Sequence, residues 1–199
     1  MSQHEIWFII GSYLLGSVPF GFIIYFFFER KDIREEGSGN IGATNVMRCQ
    51  GKKAGFVTLV LDMLKGVVVI VYALRHFDSP VTVILGGAAV ILGHLFPIYL
   101  KFKGGKGIAS LLGVFIIFHF PAALAFGFVF LIVLYFTRYV SLGSVAGLTA
   151  LFFVTLFTHI AEVSSVVLAV AILIVFKHRG NIQRVLAGTE NKFYWEKYG

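Results

Sequence analysis

A glycine-rich run early in the chain has the residue types that bind phosphate. It reads GSGNIGATNVMR from Gly37 to Arg48. Glycine lets backbone N–H groups turn toward an anion, and hydroxyl, amide and guanidinium groups add donors for phosphate oxygens. A flexible linker is the structural alternative, but linkers rarely need Asn and Arg at this density. The run lacks the GxxxxGK[ST] pattern, which excludes a nucleotide P-loop.

A second run combines lysine with glycine. It reads KFKGGKG from Lys101 to Gly107 and directly precedes an apolar stretch that begins at Ile108. The N-terminus of a helix attracts anions because of its free N–H groups and its dipole. The alternative is a basic cluster beside the membrane that attracts anionic lipid headgroups. The interleaved glycines favour a shaped phosphate pocket.

The C-terminal segment supplies a third set of polar residues. It contains HRGNIQR from His178 to Arg184 and GTENK from Gly188 to Lys192. Taken alone, it is typical of a basic membrane anchor with aromatic side chains at the headgroup level. Together with the two glycine-rich runs, it favours one shared anion site.

Several polar residues lie within apolar stretches. Asp62 and Lys65 are three residues apart on one helix face, which favours an ion pair inside the membrane over a substrate contact. His94 either contacts a ligand or satisfies a backbone carbonyl. Ser141 and Ser144 either line a site or cap a helix.

The elements that position these residues belong to a membrane protein, as the composition of the chain indicates. The 199 residues are 58% hydrophobic and 14% charged, and the mean hydropathy is +0.87. Soluble domains carry about 25% charged residues and disordered segments are polar, so both classes are excluded. A membrane helix takes about 20 residues, which allows roughly six to eight spans and no large soluble domain. The single cysteine, Cys49, excludes an intramolecular disulfide.

Seven apolar runs predict about seven membrane helices. They are 5–28, 54–74, 80–100, 108–118, 121–136, 140–158 and 163–176. Proline disfavours helix at the residue before it, which suits a break at Pro121. With seven spans and the N-terminus outside, 15 Lys and Arg residues lie in inner segments and one lies outside. Merging 108–136 into one span would give 9 against 7, so the positive-inside rule favours seven.

We therefore predict an all-α integral membrane protein that forms a single domain over residues 1–199. The N-terminus lies outside and the C-terminus lies in the cytoplasm. The cytoplasmic loops 29–53 and 101–107 and the tail 177–199 then face the same side. The predicted site lies at this cytoplasmic face.

The sequence lacks the signatures of several other chemistries. It has no GxSxG elbow of a serine hydrolase, no HX4D pattern of many glycerolipid acyltransferases and no HExxH metal motif. We expect neither a metal nor a cofactor. A membrane transporter of a phosphorylated metabolite is the main alternative, but the outer half is almost uniformly apolar apart from Asp62, Lys65 and the outer turns. A lipid-binding protein without catalysis would not need two glycine-rich anion loops.

Four blocks, in order along nearly the whole chain, resemble the PlsY family of bacterial membrane glycerol-3-phosphate acyltransferases. The blocks are GSVPFG (16–21), the run from Gly37 to Arg48, GHLFP (93–97) leading into FKGGKG (102–107), and HRGN (178–181) with GTEN (188–191). The resemblance implies transfer of a fatty acyl group from acyl phosphate to the 1-hydroxyl of glycerol 3-phosphate, which gives lysophosphatidic acid and phosphate.

The resemblance also implies the biological setting. The reaction would be the first acylation step of phospholipid biosynthesis, at the cell inner membrane. A partner enzyme would make the acyl phosphate, and neither acyl-CoA nor acyl carrier protein would be the direct donor. No nucleic acid is implied as a partner.

The residues predicted to act in this reaction come from all of the polar segments. Those expected to hold glycerol 3-phosphate are Ser38, Arg48, Lys106, His178 and Asn181, with Glu190 orienting the tail. Those expected to hold the acyl-phosphate head and the developing oxyanion are Asn40, Thr44, Asn45 and Ser144. The substrate-binding set is completed by Gly39, Lys103, Gly104, Gly105 and His94.

The expected chemistry needs no covalent nucleophile. An acyl phosphate is already activated, so positioning and charge neutralisation matter most. The base for the glycerol hydroxyl is His178, Glu190 or a substrate phosphate oxygen. We favour the substrate phosphate, because neither side chain has an orienting partner visible in the sequence.

Overall fold

The chain folds into a bundle of helices. A computed structural model describes residues 1–197, which contain nine α-helices and three short 3₁₀ helices. The α-helices are α1 (Gln3–Gly16), α2 (Phe20–Glu29), α3 (Ala43–His76), α4 (Pro80–Leu95), α5 (Ile108–Phe118), α6 (Phe120–Thr137), α7 (Val140–Thr158), α8 (Ala161–Lys177) and α9 (Arg179–Leu186). The 3₁₀ helices are Ile33–Glu35, Ile98–Leu100 and Trp195–Lys197. The predicted all-α architecture is confirmed.

Each of the seven predicted apolar runs contains helix. Five segments in residues 1–197 are long and apolar enough to cross a membrane: Gln3–Glu29, Ala43–His76, Pro80–Leu100, Phe120–Thr137 and Val140–Thr158. The pair α8 and α9, bent by 51°, counts as a sixth if the two helices form one span. The remaining run is α5, whose 11 residues reach only about half of a hydrocarbon core of roughly 30 Å. The orientation of the two termini stays a prediction.

The first span is broken at Pro19, between α1 and α2. The break frees backbone carbonyls inside the apolar region, where each needs a partner from the protein. The ammonium group of Lys65 supplies it by donating to the carbonyls of Gly16 at 3.0 Å and Val18 at 3.3 Å. A charged side chain of α3 therefore stabilises the broken helix.

Two segments expected as loop and tail are partly helical. Helix α3 already begins at Ala43, inside the predicted loop 29–53, and kinks at Gly51, whose φ is 86°. Only glycine adopts this backbone conformation readily, so a polar helical piece is set at an angle to the apolar one. The predicted tail 177–199 contains α9. Hydropathy did not reveal these pieces because neither is apolar.

The core lies around α4. In the most apolar stretch of the span Pro80–Leu100, which contains α4, 72% is buried, against 17% for α6 at the edge of the bundle. At one end of the bundle, the N-terminal ends of α3, α5 and α7 meet the bend between α8 and α9. The polar segments of the sequence come together at this end.

Candidate active site

A cavity of about 530 Å³ lies at this end of the bundle. One part of its wall is polar and combines loop, tail and helix-end residues. The other part is apolar, with side chains from α3, α5 and α6 that include Phe56, Leu59, Leu112, Phe126, Phe130 and Leu134. Such a cavity suits a ligand with a charged head and a hydrocarbon tail.

A smaller polar cavity of about 320 Å³ adjoins the first. Its basic side chains besides Lys106 are Lys177, Arg179 and Arg184. The two cavities share the residues Ser38, Asn40, Lys106 and Asn181. A group bound at this border touches both spaces, and the surrounding positive charge suits an anion.

The side chain of Asn45 organises the loop before α3. Its Oδ1 accepts from the backbone N–H of Ser38 at 2.7 Å. Its amide donates to the carbonyls of Asn40 at 2.9 Å and Glu36 at 3.0 Å. Asn45 is 2% exposed, and its hydrogen-bonding groups are engaged by the loop. Its geometry therefore fits loop positioning better than the predicted substrate contact.

The glycines before α5 are required by close packing. A Cβ atom on Gly105 would overlap the His94 ring, and one on Gly104 would overlap Pro97 and the His94 carbonyl. The backbone N–H of Gly105 donates to that carbonyl at 3.0 Å. Gly107, with φ of 82°, is the N-cap of α5. The loop is thus held tightly against the end of α4, and it presents Lys106 to both cavities.

Glu190 and Asn181 connect the tail to two other segments. Lys106 Nζ donates to Asn181 Oδ1 at 2.5 Å, and Asn181 Nδ2 donates to Glu190 Oε1 at 2.6 Å. Glu190 also accepts from Ser141 Oγ at 2.8 Å and from Arg184 Nε at 2.8 Å. The network fixes the orientation of the Asn181 amide, and through it the position of Lys106.

Burial and neighbouring charges shift the pKa values of this network. Burial lowers the pKa of Lys106 to about 8; Glu190 opposes the shift, while Arg184 and Arg48 add to it. Burial alone would raise the pKa of Glu190, but the hydrogen bonds from Asn181, Ser141 and Arg184 hold it below its ordinary value. Glu190 is therefore ionised at neutral pH and is a poor proton acceptor.

His178 has an orienting partner that is four residues away in the sequence. Its Nδ1 lies 2.8 Å from the carbonyl oxygen of Ile174, and its side chain is buried. A carbonyl only accepts, so Nδ1 carries a hydrogen, and in the neutral ring Nε2 is left as an acceptor. Since His178 lines the larger cavity, this nitrogen is suited to receive a hydrogen bond from a substrate hydroxyl.

Arg48 is incompletely paired. One of its terminal nitrogens donates to the Asn191 carbonyl at 3.4 Å, and its buried Nε has no hydrogen-bond partner among residues 1–197. An unpaired buried donor is costly, which favours an anion as its partner. Arg48 lines the larger cavity.

A buried ionic triad lies at the inner end of this cavity. Lys65 Nζ is 2.9 Å from Asp62 Oδ1 and 2.9 Å from His94 Nδ1. The expected ion pair is present, with His94 as its third member. Asp62 and His94 both line the cavity.

Comparison with known proteins identifies the family. A family model described as glycerol-3-phosphate acyltransferase matches residues 6–188. The chain belongs to this family. A glycerol-3-phosphate acyltransferase from Geotalea daltonii is 45% identical over 191 residues, covering 95% of this chain and 97% of that protein. One from Syntrophotalea carbinolica is 40% identical over 187 residues, covering 93% and 95%.

Solved structures support the same assignment. A crystal structure of PlsY, an integral membrane glycerol 3-phosphate acyltransferase, in its glycerol 3-phosphate form has a TM-score of 0.91 and 38% identity, over 96% of both chains. The lysophosphatidic acid form has a TM-score of 0.87 and 36% identity, over 98% of both. The expected relationship to PlsY is confirmed. The protein is an integral membrane glycerol-3-phosphate acyltransferase, which sets the transporter and the non-catalytic lipid-binding alternatives aside.

Most residues predicted for the acyltransferase site come together. Those lining the larger cavity are Ser38, Asn40, Thr44, Asn45, Arg48, His94, Lys106, Ser144, His178, Asn181 and Glu190. Gly104 and Gly105 line the smaller cavity. Gly39 and Lys103 line neither of these two cavities: Gly39 makes a turn with φ of 71°, and Lys103 is exposed. The individual roles of these residues stay predictions.

Four further residues belong to the acyltransferase site by position but were not assigned to it from the sequence. Ser141 contacts Glu190 in the larger cavity, and the smaller cavity is lined by Lys177, Arg179 and Arg184. For the three cations the sequence signal is the density of charge beside the assigned tail residues, and for Ser141 it is the place beside Ser144, which leaves lining a site and capping a helix both open. Which of these cations face the cavity depends on the bend between α8 and α9.

Proposed function

We propose that this acyltransferase moves a fatty acyl group from acyl phosphate to the 1-hydroxyl of glycerol 3-phosphate, in the first acylation of phospholipid biosynthesis. One observation carries the proposal. A cavity with an apolar wall and a small basic cavity share a border at Lys106 and Asn181. A lipid-tailed donor and a phosphate-bearing acceptor bound in the two spaces would meet at that border.

The positive charge supports binding of two phosphates. Lys106 and Arg48, whose Nε has no partner among residues 1–197, line the larger cavity, and three more cations line the smaller one. Ser38, Arg48, Lys106, His178 and Asn181 hold glycerol 3-phosphate. Glu190 acts through Asn181 and Arg184, whose orientation it fixes by hydrogen bonds.

The N-terminus of α3 is suited to the acyl-phosphate head. The first N–H groups of a helix lack carbonyl partners within it and favour an anion. Gly42, Ala43 and Thr44 line the cavity at this terminus, next to Asn40. Because Asn40 Oδ1 accepts from the Gly42 N–H at 2.8 Å, its amide nitrogen is left to donate to a ligand. These donors hold the head and the developing oxyanion.

The chemical step needs no covalent intermediate on the protein. The 1-hydroxyl oxygen attacks the acyl carbon, and the bond from that carbon to the bridging phosphate oxygen breaks. The hydroxyl proton passes to the departing phosphate, which leaves as hydrogen phosphate. His178 Nε2 accepts a hydrogen bond from the neighbouring 2-hydroxyl and so holds the glycerol backbone with its 1-hydroxyl oxygen aligned for attack. Glu190 is unsuited to the role of base, since three donors already occupy its carboxylate.

The proposal also assigns the site to the cytoplasmic face of the inner membrane. The basic residues of the segments around the cavity support this orientation through the positive-inside rule. A separate enzyme would supply the acyl phosphate on the same side. Labelling Cys49 from either side of sealed vesicles tests the orientation, and labelling only from the periplasmic side would contradict it.

A direct assay tests the donor. The purified protein in lipid nanodiscs receives glycerol 3-phosphate with palmitoyl phosphate, or with palmitoyl-CoA as the matched alternative. We expect phosphate and lysophosphatidic acid from the first pair only, and loss of both products in Arg48→Ala at unchanged thermal stability. Turnover of the thioester alone would overturn the proposed donor.

A further inference from the structure

One face of α6 forms a wall of the larger cavity. The residues of this face are Phe126, Gly127, Phe130, Leu131 and Leu134. Their spacing of one, three, one and three residues places them on the same side of the helix. This wall borders the space in which the proposed function puts the acyl chain.

Gly127 is the smallest residue on this wall, and helix packing does not explain it. Apart from its chain neighbours and the nearby backbone of its own helix, no heavy atom of residues 1–197 would lie within 4 Å of a Cβ atom there. By contrast, a Cβ on Gly147 would lie 2.8 Å from the Phe126 carbonyl oxygen, so that glycine permits close approach of α7 to α6. Glycine inside a helix is less favourable than alanine. At Gly127, neither packing nor a positive φ compensates for that difference.

Gly127 lies deep in the larger cavity, far along α6 from the polar end of that cavity. The polar end lies near the turn after α6, where the Phe193 N–H donates to the Arg138 carbonyl at 2.7 Å and Ser141 contacts Glu190. Gly127 precedes Thr137, the last residue of α6, by ten positions, or about 15 Å along the helix. A short acyl chain held by its head would end before this level, whereas a long chain would pass it.

We propose that Gly127 determines acyl-chain specificity by keeping the cavity open at this depth for long-chain acyl groups. The inference rests on the proposed function for the identity of the chain. A side chain at position 127 fills the space that the distal methylenes need, without displacing the helix backbone. It therefore penalises long acyl donors and spares short ones.

The test compares donors of different length on variants of one position. Gly127→Leu and Gly127→Ala are assayed in nanodiscs with octanoyl, lauroyl and palmitoyl phosphate. The measured quantity is the ratio of kcat/KM for the palmitoyl donor to that for the octanoyl donor. We expect this ratio to fall by about tenfold or more in Gly127→Leu, and by less in Gly127→Ala, because a few methylenes in an apolar pocket carry discrimination of this order.

Gly11→Leu is the matched control. Gly11 also lies inside a helix, and in the described part of the chain only its neighbours and its own helix backbone come within 4 Å of its Cβ position, but it does not line the cavity. The ratio should not change in this variant. An unchanged ratio in folded Gly127→Leu, or an equal loss for all chain lengths, overturns the proposal. If Gly127→Leu does not fold, Gly127→Ala decides by the same ratio.

The donor and the specificity are tested separately. If the wild-type protein uses no acyl phosphate, the proposed donor is wrong, and the series is repeated with acyl-CoA thioesters of the same lengths. A fall in the ratio with thioesters still supports Gly127 as the specificity residue. An unchanged ratio with them overturns it.

Discussion

The ammonium group of Lys106 donates a hydrogen bond to Oδ1 of Asn181 at 2.5 Å. This bond joins the loop before α5 to α9 and holds Lys106 at the border of the two cavities. Because the surroundings of Lys106 lower its pKa to about 8, its charge changes within an accessible pH range. Phosphate binding and protein stability therefore respond to pH through the same proton.

The first prediction is that glycerol 3-phosphate binds more weakly as pH rises through about 8. The charged form of Lys106 is half populated at that pH in the free enzyme, so the apparent KM should rise above it. Lys106→Arg keeps its charge and should show a flat KM profile over the same range. Lys103→Ala, which alters an exposed lysine of the same loop, should change the KM less than Lys106→Ala does.

The same proton affects protein stability in the opposite direction: as pH rises, substrate binding weakens but the folded state becomes more stable. The unfolded chain holds the lysine proton up to a pKa near 10.5, whereas the folded chain releases it near 8. Between these values the unfolded state binds more protons, so the free energy of unfolding due to Lys106 rises with pH. The difference in the free energy of unfolding between the wild type and Lys106→Arg, measured by thermal unfolding across this pH range, should show this rise. A KM that stays constant in the wild type would contradict the role of the charge.

A second prediction concerns Asn45 and the loop it holds. Asn45→Ala removes bonds to Ser38, Asn40 and Glu36. At about 1 kcal/mol for each bond, the loop should lose roughly 2–3 kcal/mol of local stability. Hydrogen exchange of residues 33–40 should accelerate, and kcat/KM should fall. Thr149→Ala, on the exposed side of α7, serves as the control, and normal exchange in Asn45→Ala would favour the direct substrate contact instead.

A third prediction is that a single methyl group at position 105 damages the site. The Cβ atom of Gly105→Ala overlaps the His94 ring, so the loop must move away from α4 and carry Lys106 with it. We expect a rise of at least about tenfold in the KM for glycerol 3-phosphate, with a smaller change in kcat. Gly11→Ala adds a methyl group in open space and should leave both constants unchanged. Equal kinetics in the two variants would show that the loop tolerates the displacement.

A fourth prediction concerns the ionic triad. Lys65→Met leaves the Asp62 charge buried without its cation and removes the donor to the Gly16 and Val18 carbonyls. Breaking a buried ion pair from one side destabilises by about 3 kcal/mol or more. The thermal midpoint in detergent should fall clearly. Lys53→Met, at an exposed position of α3, should leave it unchanged, and adding Asp62→Asn to Lys65→Met should recover part of the loss.

The sequence predicted those features of the fold that depend on the preference of apolar side chains for lipid over water. The apolar runs marked the helices, and the break at Pro121 separated α5 from α6 as expected. The helical turns from Ala43 to the kink at Gly51 did not follow from hydropathy. They are polar, and they carry Asn45, whose side chain holds the preceding loop by hydrogen bonds.

The members of the site were more predictable than their roles. Residue type and the family resemblance indicated Arg48, Lys106 and Asn181, which line the larger cavity. The partner of Arg48 on the tail lies 143 positions away, and such a contact depends on tertiary packing. The hydrogen bond that orients His178 is local, but it depends on how α8 ends, which periodicity does not specify.

The short helix α5 brings the polar and the apolar wall of the larger cavity together. Its 11 residues cover about 17 Å, so the loop before it reaches down into the bundle, against His94 and close to Lys65. The polar loop therefore lies beside the apolar side chains of α5 and α6, so a charged head and a hydrocarbon tail would find their separate surroundings within one cavity.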